Sequence, residues 1–99
     1  MKKILLVCNA GMSTSMLVAK MKKAAQADGV EVSIEAKSLA DAKKEIQEAN
    51  IVLLGLQIRY ELENVKKLAG SVPVEAIDMR DYGMMNGEKV LKHAMEVMG

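Results

Sequence analysis

Eight consecutive residues carry the chemistry of this chain: Cys8-Asn9-Ala10-Gly11-Met12-Ser13-Thr14-Ser15. They follow an apolar run, Ile4-Leu5-Leu6-Val7, and precede a segment with helical spacing. A loop between a strand and a helix can turn several backbone N–H groups toward one point. Gly11 leaves that approach unobstructed, and the helix adds its positive N-terminal end. Ser13, Thr14 and Ser15 supply hydroxyl donors and caps. Such a loop holds an anion the size of a phosphate. The same partial positive charges favour negative sulfur at Cys8, as helix N-termini do for cysteine in general. A nucleophile and an oxyanion cradle in one loop make phosphoryl transfer through sulfur chemically sensible.

Simpler readings compete with this one. A lone cysteine at a strand end is usually a small buried hydrophobe. Three hydroxyl residues before a helix are usually a cap. Capping is compatible with an anion cradle, because capping and anion binding use the same N–H groups. The glycine and the helix start weigh against the first.

The elements that must position this loop alternate along the chain. Lys2 to Val7 reads as a buried strand. Ser13 to Asp28 is a helix with Thr14, Leu17, Val18, Met21, Ala24 and Ala25 on one face and Gly29 as its stop. Val30 to Glu35 alternates at period two, as an edge strand does. Ser38 caps a second helix through Leu39, Ala42, Ile46 and Ala49. Ile51 to Leu56, the most apolar stretch, predicts a central strand. A third helix spans Arg59 to Ala69, with Leu62, Val65 and Ala69 inward and Gly70 after it. Val74 to Ile77 is a fourth strand. Asp78 to Gly87 is a loop, and Glu88 to Met98 a last helix with Leu91, Ala94, Met95 and Met98 inward.

Right-handed crossovers make the fold α/β, a four-stranded parallel sheet of order 2-1-3-4 with helices on both faces. The chain leaves strands 1 and 3 in opposite directions, so the crevice beyond their carboxyl ends is the expected ligand site. The 99 residues fit one domain, 1–99.

The run Cys8 to Ser15, followed by Leu17 and Lys20, resembles the phosphorylation loop of enzyme IIB of the bacterial sugar phosphotransferase system, lactose/cellobiose (chitobiose) type. Length, element order, the Gly55-Leu56-Gln57-Ile58 turn and the Tyr82-Gly83 pair fall where that family has counterparts. The resemblance implies a phosphocysteine carrier with the low-molecular-weight tyrosine phosphatase fold. Such a carrier takes phosphate from the histidine of a IIA protein and passes it to a disaccharide of the cellobiose, chitobiose or lactose class entering through the membrane IIC component. The family often has proline where this chain has Leu56, which bears on the stiffness of that turn and not on Cys8.

The loop is also similar to that of the phosphatases themselves, which place an arginine six residues after the cysteine. Here that place is Thr14. A guanidinium would clamp two phosphoryl oxygens and hold transition-state charge. Without it, hydrolysis loses several kcal/mol of stabilisation, which suits a carrier whose phosphocysteine must survive until a partner arrives. A phosphatase or arsenate-reductase-like enzyme is one alternative, and a phosphate-binding regulatory module is the other. Asp78 and Asp81 stand at the right edge for acid catalysis, but Asp78 reads better as the bonding partner of its own turn.

Around the site, Gln57 faces Cys8 from the third-strand loop. Its amide is placed either for the phosphoryl group or a partner's histidine loop, or simply as a surface turn residue. Tyr82 reads as an interface or loop-closing residue and Tyr60 as packing. Met12, at the loop tip, is a flexible apolar contact for a partner. Arg59 and Arg80 could steer an acidic one. His93 reads as structural or neutral, on the solvated face of the last helix.

The totals exclude several classes. Lysine plus arginine number 14 against 13 acidic residues, and only two residues are aromatic, so a cationic groove with stacking platforms is not supported. One cysteine and one histidine make no metal constellation, and no cofactor is called for. The lone thiol suits a reducing cytoplasm. The apolar start is too short for a signal peptide and runs into a Gly/Ser turn. No long apolar stripe is left over, which favours a monomer.

Overall fold

The computed structural model describes residues 2–8 and 12–99, and at residues 12–14, 56 and 57 the backbone alone. Four strands, β1 (Lys2–Cys8), β2 (Val32–Ser38), β3 (Ile51–Leu54) and β4 (Val74–Ala76), form one sheet. Its order is β2-β1-β3-β4, and every pairing is parallel. Five helices accompany it: α1 (Met12–Asp28), α2 (Leu39–Ala42), α3 (Leu62–Ala69), α4 (Met79–Gly83) and α5 (Gly87–Met98). The expected class, order and direction of the sheet are therefore those observed.

Side-chain alternation along β1 divides the interior into two cores. Ile4 and Leu6 join Ile34, Ile51 and Leu53 under Leu17 and Met21 of α1 and Val90, Leu91 and Ala94 of α5. Leu5 and Val7 join Val52 and Leu54 on the other face, under Ala42, Ile46, Ile58, Val65 and Ala69. All four of these β1 residues are wholly buried. Each such side chain contributes about 1.5–3 kcal/mol by leaving water. The face expected for the first helix is confirmed at Leu17, Val18, Met21 and Ala25; Thr14 lies outside the described side chains.

Boundaries moved for identifiable reasons. β2 begins at Val32, not Val30, because the Val30 N–H donates to the carbonyl of Ala25 and closes the end of α1. Gly29 supplies the left-handed φ of +68° that this closure needs. β2 then pairs with the whole of β1 as far as Cys8 opposite Ser38. The third helix is shorter than expected: a 3-10 segment (Leu56–Glu61) precedes α3, and Ile58 leaves helical geometry there to fill the second core. The stretch expected as a loop, 78–87, contains α4, capped by Asp78.

The second helix is the largest departure. Ser38 does cap it, accepting from the N–H of Asp41 at 3.3 Å, but α2 lasts one turn and a 3-10 turn (Ile46–Glu48) follows. Ala42, Ile46 and Ala49 bury the stripe that a continuous helix would have buried. Between them Glu45 departs from helical φ and its carboxylate meets two lysines. The Lys3 ammonium donates to it at 2.7 Å and the Lys37 ammonium donates to its other oxygen. Lys3 also lies 3.8 Å from Glu35. Asn50 then returns to β1, its side chain accepting from the N–H of Lys3 at 2.8 Å.

The hydrogen bond from Lys3, and then that from Lys37, holds the Glu45 carboxyl below its ordinary range. A depressed folded pKa gives stabilisation that is present above the unfolded value and is lost as pH falls through the folded one. Glu45→Gln is therefore expected to lower the melting temperature at pH 7. The gap to wild type should close in acid, below about pH 4. A gap of constant size from pH 7 to pH 3 would show that the carboxylate charge contributes nothing.

Candidate active site

Cys8 is the last residue of β1, a free thiol only 1% exposed. Strand alternation places it on the Ile4 and Leu6 side of the sheet, the side covered by α1 and α5. β1 is flanked on both sides, by β2 and by β3. The ladder to β3 continues past the strand end, where the N–H of Gly55 donates to the carbonyl of Val7 at 2.9 Å. The thiol thus stands at the carboxyl end of a central strand, at the point where the chain order reverses. That is where open α/β sheets bind ligands.

Four residues later α1 begins and runs for 17 residues. No acidic side chain occupies its first turn, so nothing there offsets the positive end of the helix. Of the loop expected to cradle a phosphate, Asn9, Ala10 and Gly11 lie outside the described residues, as do the side chains of Met12, Ser13 and Thr14. Ser15 is exposed in the first turns of α1. Gln57 stands in the 3-10 segment after β3, at the same edge of the sheet as Cys8, and its side chain too is outside the described set.

The two tyrosines differ sharply in exposure. Tyr60, expected to pack, is 73% exposed. Tyr82, expected as an interface or loop-closing residue, is 5% exposed and belongs to the core beneath α1 and α5, which goes against the first alternative and not the second. α4 turns its tyrosine inward while Met79 and Met84 point to solvent. Tyr82 can hold the loop after β4 in place; it offers a partner almost no surface. Asp78 is a cap, as expected: its Oδ1 accepts from the N–H groups of Arg80 at 2.9 Å and of Asp81 at 3.2 Å.

Residues 3–93 match the family model for the lactose/cellobiose-specific IIB subunit of the phosphotransferase system. The chain belongs to that family. An oligo-beta-mannoside-specific component from Bacillus subtilis is 44% identical to this IIB chain over 99% of it and 97% of the relative. A cellobiose-specific component from Lactococcus lactis is also 44% identical, over 98% and 96%. The solution structure of a cellobiose-specific IIB protein from Borrelia burgdorferi superposes with a TM-score of 0.81 at 38% identity, covering 98% of this chain and 91% of that one. A lactose-specific IIB domain from Streptococcus pneumoniae reaches the same TM-score at 16% identity, covering 96% and 95%, which speaks to the fold alone. As a IIB component the chain is a phosphotransferase that hands a phosphoryl group on to sugar. The phosphatase and binding-module alternatives find no support.

A second polar constellation lies between β4 and α5. A groove of about 350 Å³ between β4 and α5 is lined by Leu53, Glu75, Ile77, Asp78, Asp81 and His93, among others. The His93 Nε2 and a Glu75 carboxylate oxygen are 2.6 Å apart, joining residues 18 positions apart in the chain. That bond, chiefly, raises the His93 pKa above its ordinary 6.5. Partial burial opposes the rise, and the charges of Glu75, Glu96 and Asp81 add to it. His93 is thus structural, as expected, but not neutral in effect. A raised folded pKa means stabilisation that is full below pH 6.5 and is lost as pH climbs through the folded value. His93→Ala is expected to lower the melting temperature more at pH 6 than at pH 9. A deficit independent of pH would show that the pair works by packing alone.

Proposed function

We propose that Cys8 is the residue on which this IIB chain, as one phosphotransfer domain spanning 1–99, carries its phosphoryl group. The observation that supports it is the placement of the chain's one thiol. It closes a central strand at the switch point of the sheet, four residues before the helix whose first turn is free of acidic side chains.

The Cys8 thiolate attacks the phosphorus of a IIA phosphohistidine in line. The S–P bond forms, the N–P bond breaks, and its electron pair returns to the imidazole. N–H groups and hydroxyls of Asn9, Ala10, Gly11, Met12, Ser13, Thr14 and Ser15 receive the three equatorial oxygens. Gln57 stands close in the topology and is assigned to the phosphoryl group or the donor loop. In the second step a hydroxyl of a disaccharide, presented by the membrane IIC component, attacks phosphorus. The O–P bond forms, the thiolate leaves with the S–P electron pair, and the sugar proton passes to a base on the partner. Relatives specific for oligo-beta-mannosides, galactose and cellobiose support a small sugar as substrate, and a disaccharide of the cellobiose, chitobiose or lactose class is the reading adopted for this chain. Such a carrier works in the cytoplasm, where the thiol stays reduced. Among the described residues, no helix is long and apolar enough to cross a membrane.

The test is intact mass after incubation with a phosphorylated IIA protein. One phosphoryl group should be gained, should resist hydrolysis, and should be discharged by sugar in the presence of IIC membranes. No adduct, together with hydrolysis of an aryl phosphate, would replace this reading with the phosphatase one.

A further inference from the structure

The chain holds twelve lysines but only two arginines, Arg59 and Arg80. Both stand on segments that leave the carboxyl ends of strands, Arg59 in the 3-10 segment after β3 and Arg80 in α4 after β4. Both are exposed. Neither enters any ion pair among the described residues, whose charged contacts join Lys3, Lys37 and His93 to glutamates. Two cations therefore face solvent at the edge where Cys8 ends its strand, and among the described residues neither guanidinium is in an ion pair.

Apolar exposure concentrates at the same edge. Tyr60 adjoins Arg59 and is 73% exposed; Met79 adjoins Arg80 and is 60% exposed; Met84, at the end of α4, is 75% exposed. Met16, in the first turns of α1, is 59% exposed. Among the described residues the one other large exposed hydrophobic side chain, Leu68, is 39% exposed near the far end of α3, toward the other edge of the sheet. Arginine, tyrosine and methionine are the types enriched where proteins meet, and methionine adapts to the surface it covers.

Building on the carrier reading of Cys8, we propose that this edge docks the phosphorylated IIA donor and that Arg59 and Arg80 act on the donor step rather than the sugar step. The argument is one of charge. The donor arrives with a phosphoryl group bearing close to two negative charges on the face it presents. The acceptor presents a neutral sugar hydroxyl. Unpaired exposed cations attract the first and are indifferent to the second, and such attraction raises association rates by about 10- to 1,000-fold. The reaction then cancels its own attraction. Once the phosphoryl group is bonded to sulfur the negative charge lies on this chain, beside the arginines. The dephosphorylated donor has lost what drew it in, so it leaves and uncovers the edge for the membrane partner.

The test separates the two half-reactions. Rapid-quench transfer from phosphorylated IIA to wild type is compared with transfer to an Arg59→Gln/Arg80→Gln double variant and a Met79→Ser/Met84→Ser double variant. Discharge of the pre-phosphorylated proteins by sugar and IIC membranes is measured separately. Loss of both arginines should slow the donor step by about 10-fold or more at low salt, and the deficit should shrink as salt screens the field. The methionine variant should weaken donor binding at every salt concentration. Sugar discharge from the arginine variant should stay within about twofold of wild type. A donor step within twofold of wild type would overturn the proposal. So would a sugar step that falls as far as the donor step, which would assign the edge to the membrane component. A wild type that accepts no phosphoryl group defeats the carrier reading itself, whereas indifferent variants beside a labelled wild type defeat only the docking assignment.

Discussion

Cys8→Ser is expected to fold and to carry no phosphoryl group. At neutral pH a cysteine offers some thiolate and an intrinsically strong nucleophile, whereas a serine hydroxyl offers almost no alkoxide. The exit step is affected as severely, since an alkoxide leaves phosphorus far less readily than a thiolate does. With both steps impaired, sugar phosphorylation should fall by more than about 1,000-fold, the scale seen when a nucleophile is removed from other transfer sites. The fold should survive. Residue 8 is almost wholly buried, and a hydroxyl placed there costs about 1–3 kcal/mol, a part of the 5–15 kcal/mol typical of a domain. The measurement is phosphoryl incorporation and sugar phosphorylation with wild-type partners, alongside a thermal melt. Incorporation at the wild-type rate in a folded variant would move the carrier site off Cys8. His93, the chain's one histidine, would be the next residue to replace.

Among the glycines whose surroundings are described, Gly87 should be the one at which an added methyl group, as in Gly87→Ala, lowers stability most. Gly87 opens α5 and is buried. A Cβ built there would lie 2.7 Å from the carbonyl carbon and the Cβ of Lys20 and 2.7 Å from the backbone nitrogen of Met21. Two of those three atoms are main chain of α1, so no side-chain rotation relieves the clash, and the two helices must separate. Overpacking of this kind costs about 1–3 kcal/mol, sometimes more. In a domain of this size each kcal/mol lowers the melting temperature by about 4–8 °C. Because α1 also supplies the N-terminus beside Cys8, phosphoryl uptake by the folded fraction should slow as well. Gly83→Ala is the control: a Cβ at Gly83 meets nothing within 4 Å, and that variant should melt with wild type. Equal melting of the two variants would show that α1 and α5 do not touch as closely as described.

Neither Gly87 nor His93 announces its role in the sequence. A glycine one place before a helical pattern looks like part of a turn, and only the crossing of α5 over α1 reveals the contact. The bond between His93 and Glu75 joins a helix to an edge strand, a pairing that no local pattern encodes. What local patterns do encode was legible. Period two and period 3.6 gave the strands and most inward faces, Gly29 and Ser38 marked an end and a start, and the parallel order followed from handedness. The position of Cys8, at the end of a strand and ahead of a helix, was legible in the same way. Misreadings arose where tertiary contacts overrode local spacing. Leu39, Ala42, Ile46 and Ala49 suit a continuous helix, yet Glu45 is drawn to Lys3 and Lys37 and the helix breaks. The burial of Tyr60 and the interface alternative for Tyr82 were misread because neither the 3-10 segment nor the five-residue α4 is long enough to show a periodicity that tells which way a ring points.

β1 lends its even-numbered side chains to one core and its odd-numbered ones to the other, with a strand bonded along each side. No partial opening of the molecule can free it without dismantling both cores. In hydrogen exchange the amides of Leu5, Leu6 and Val7 should open only with global unfolding, while those of the three-residue edge strand β4 and of α4 exchange through smaller fluctuations. The rim of the site can therefore loosen and re-form around each visiting partner while the sulfur stays tethered to the slowest-exchanging part of the chain.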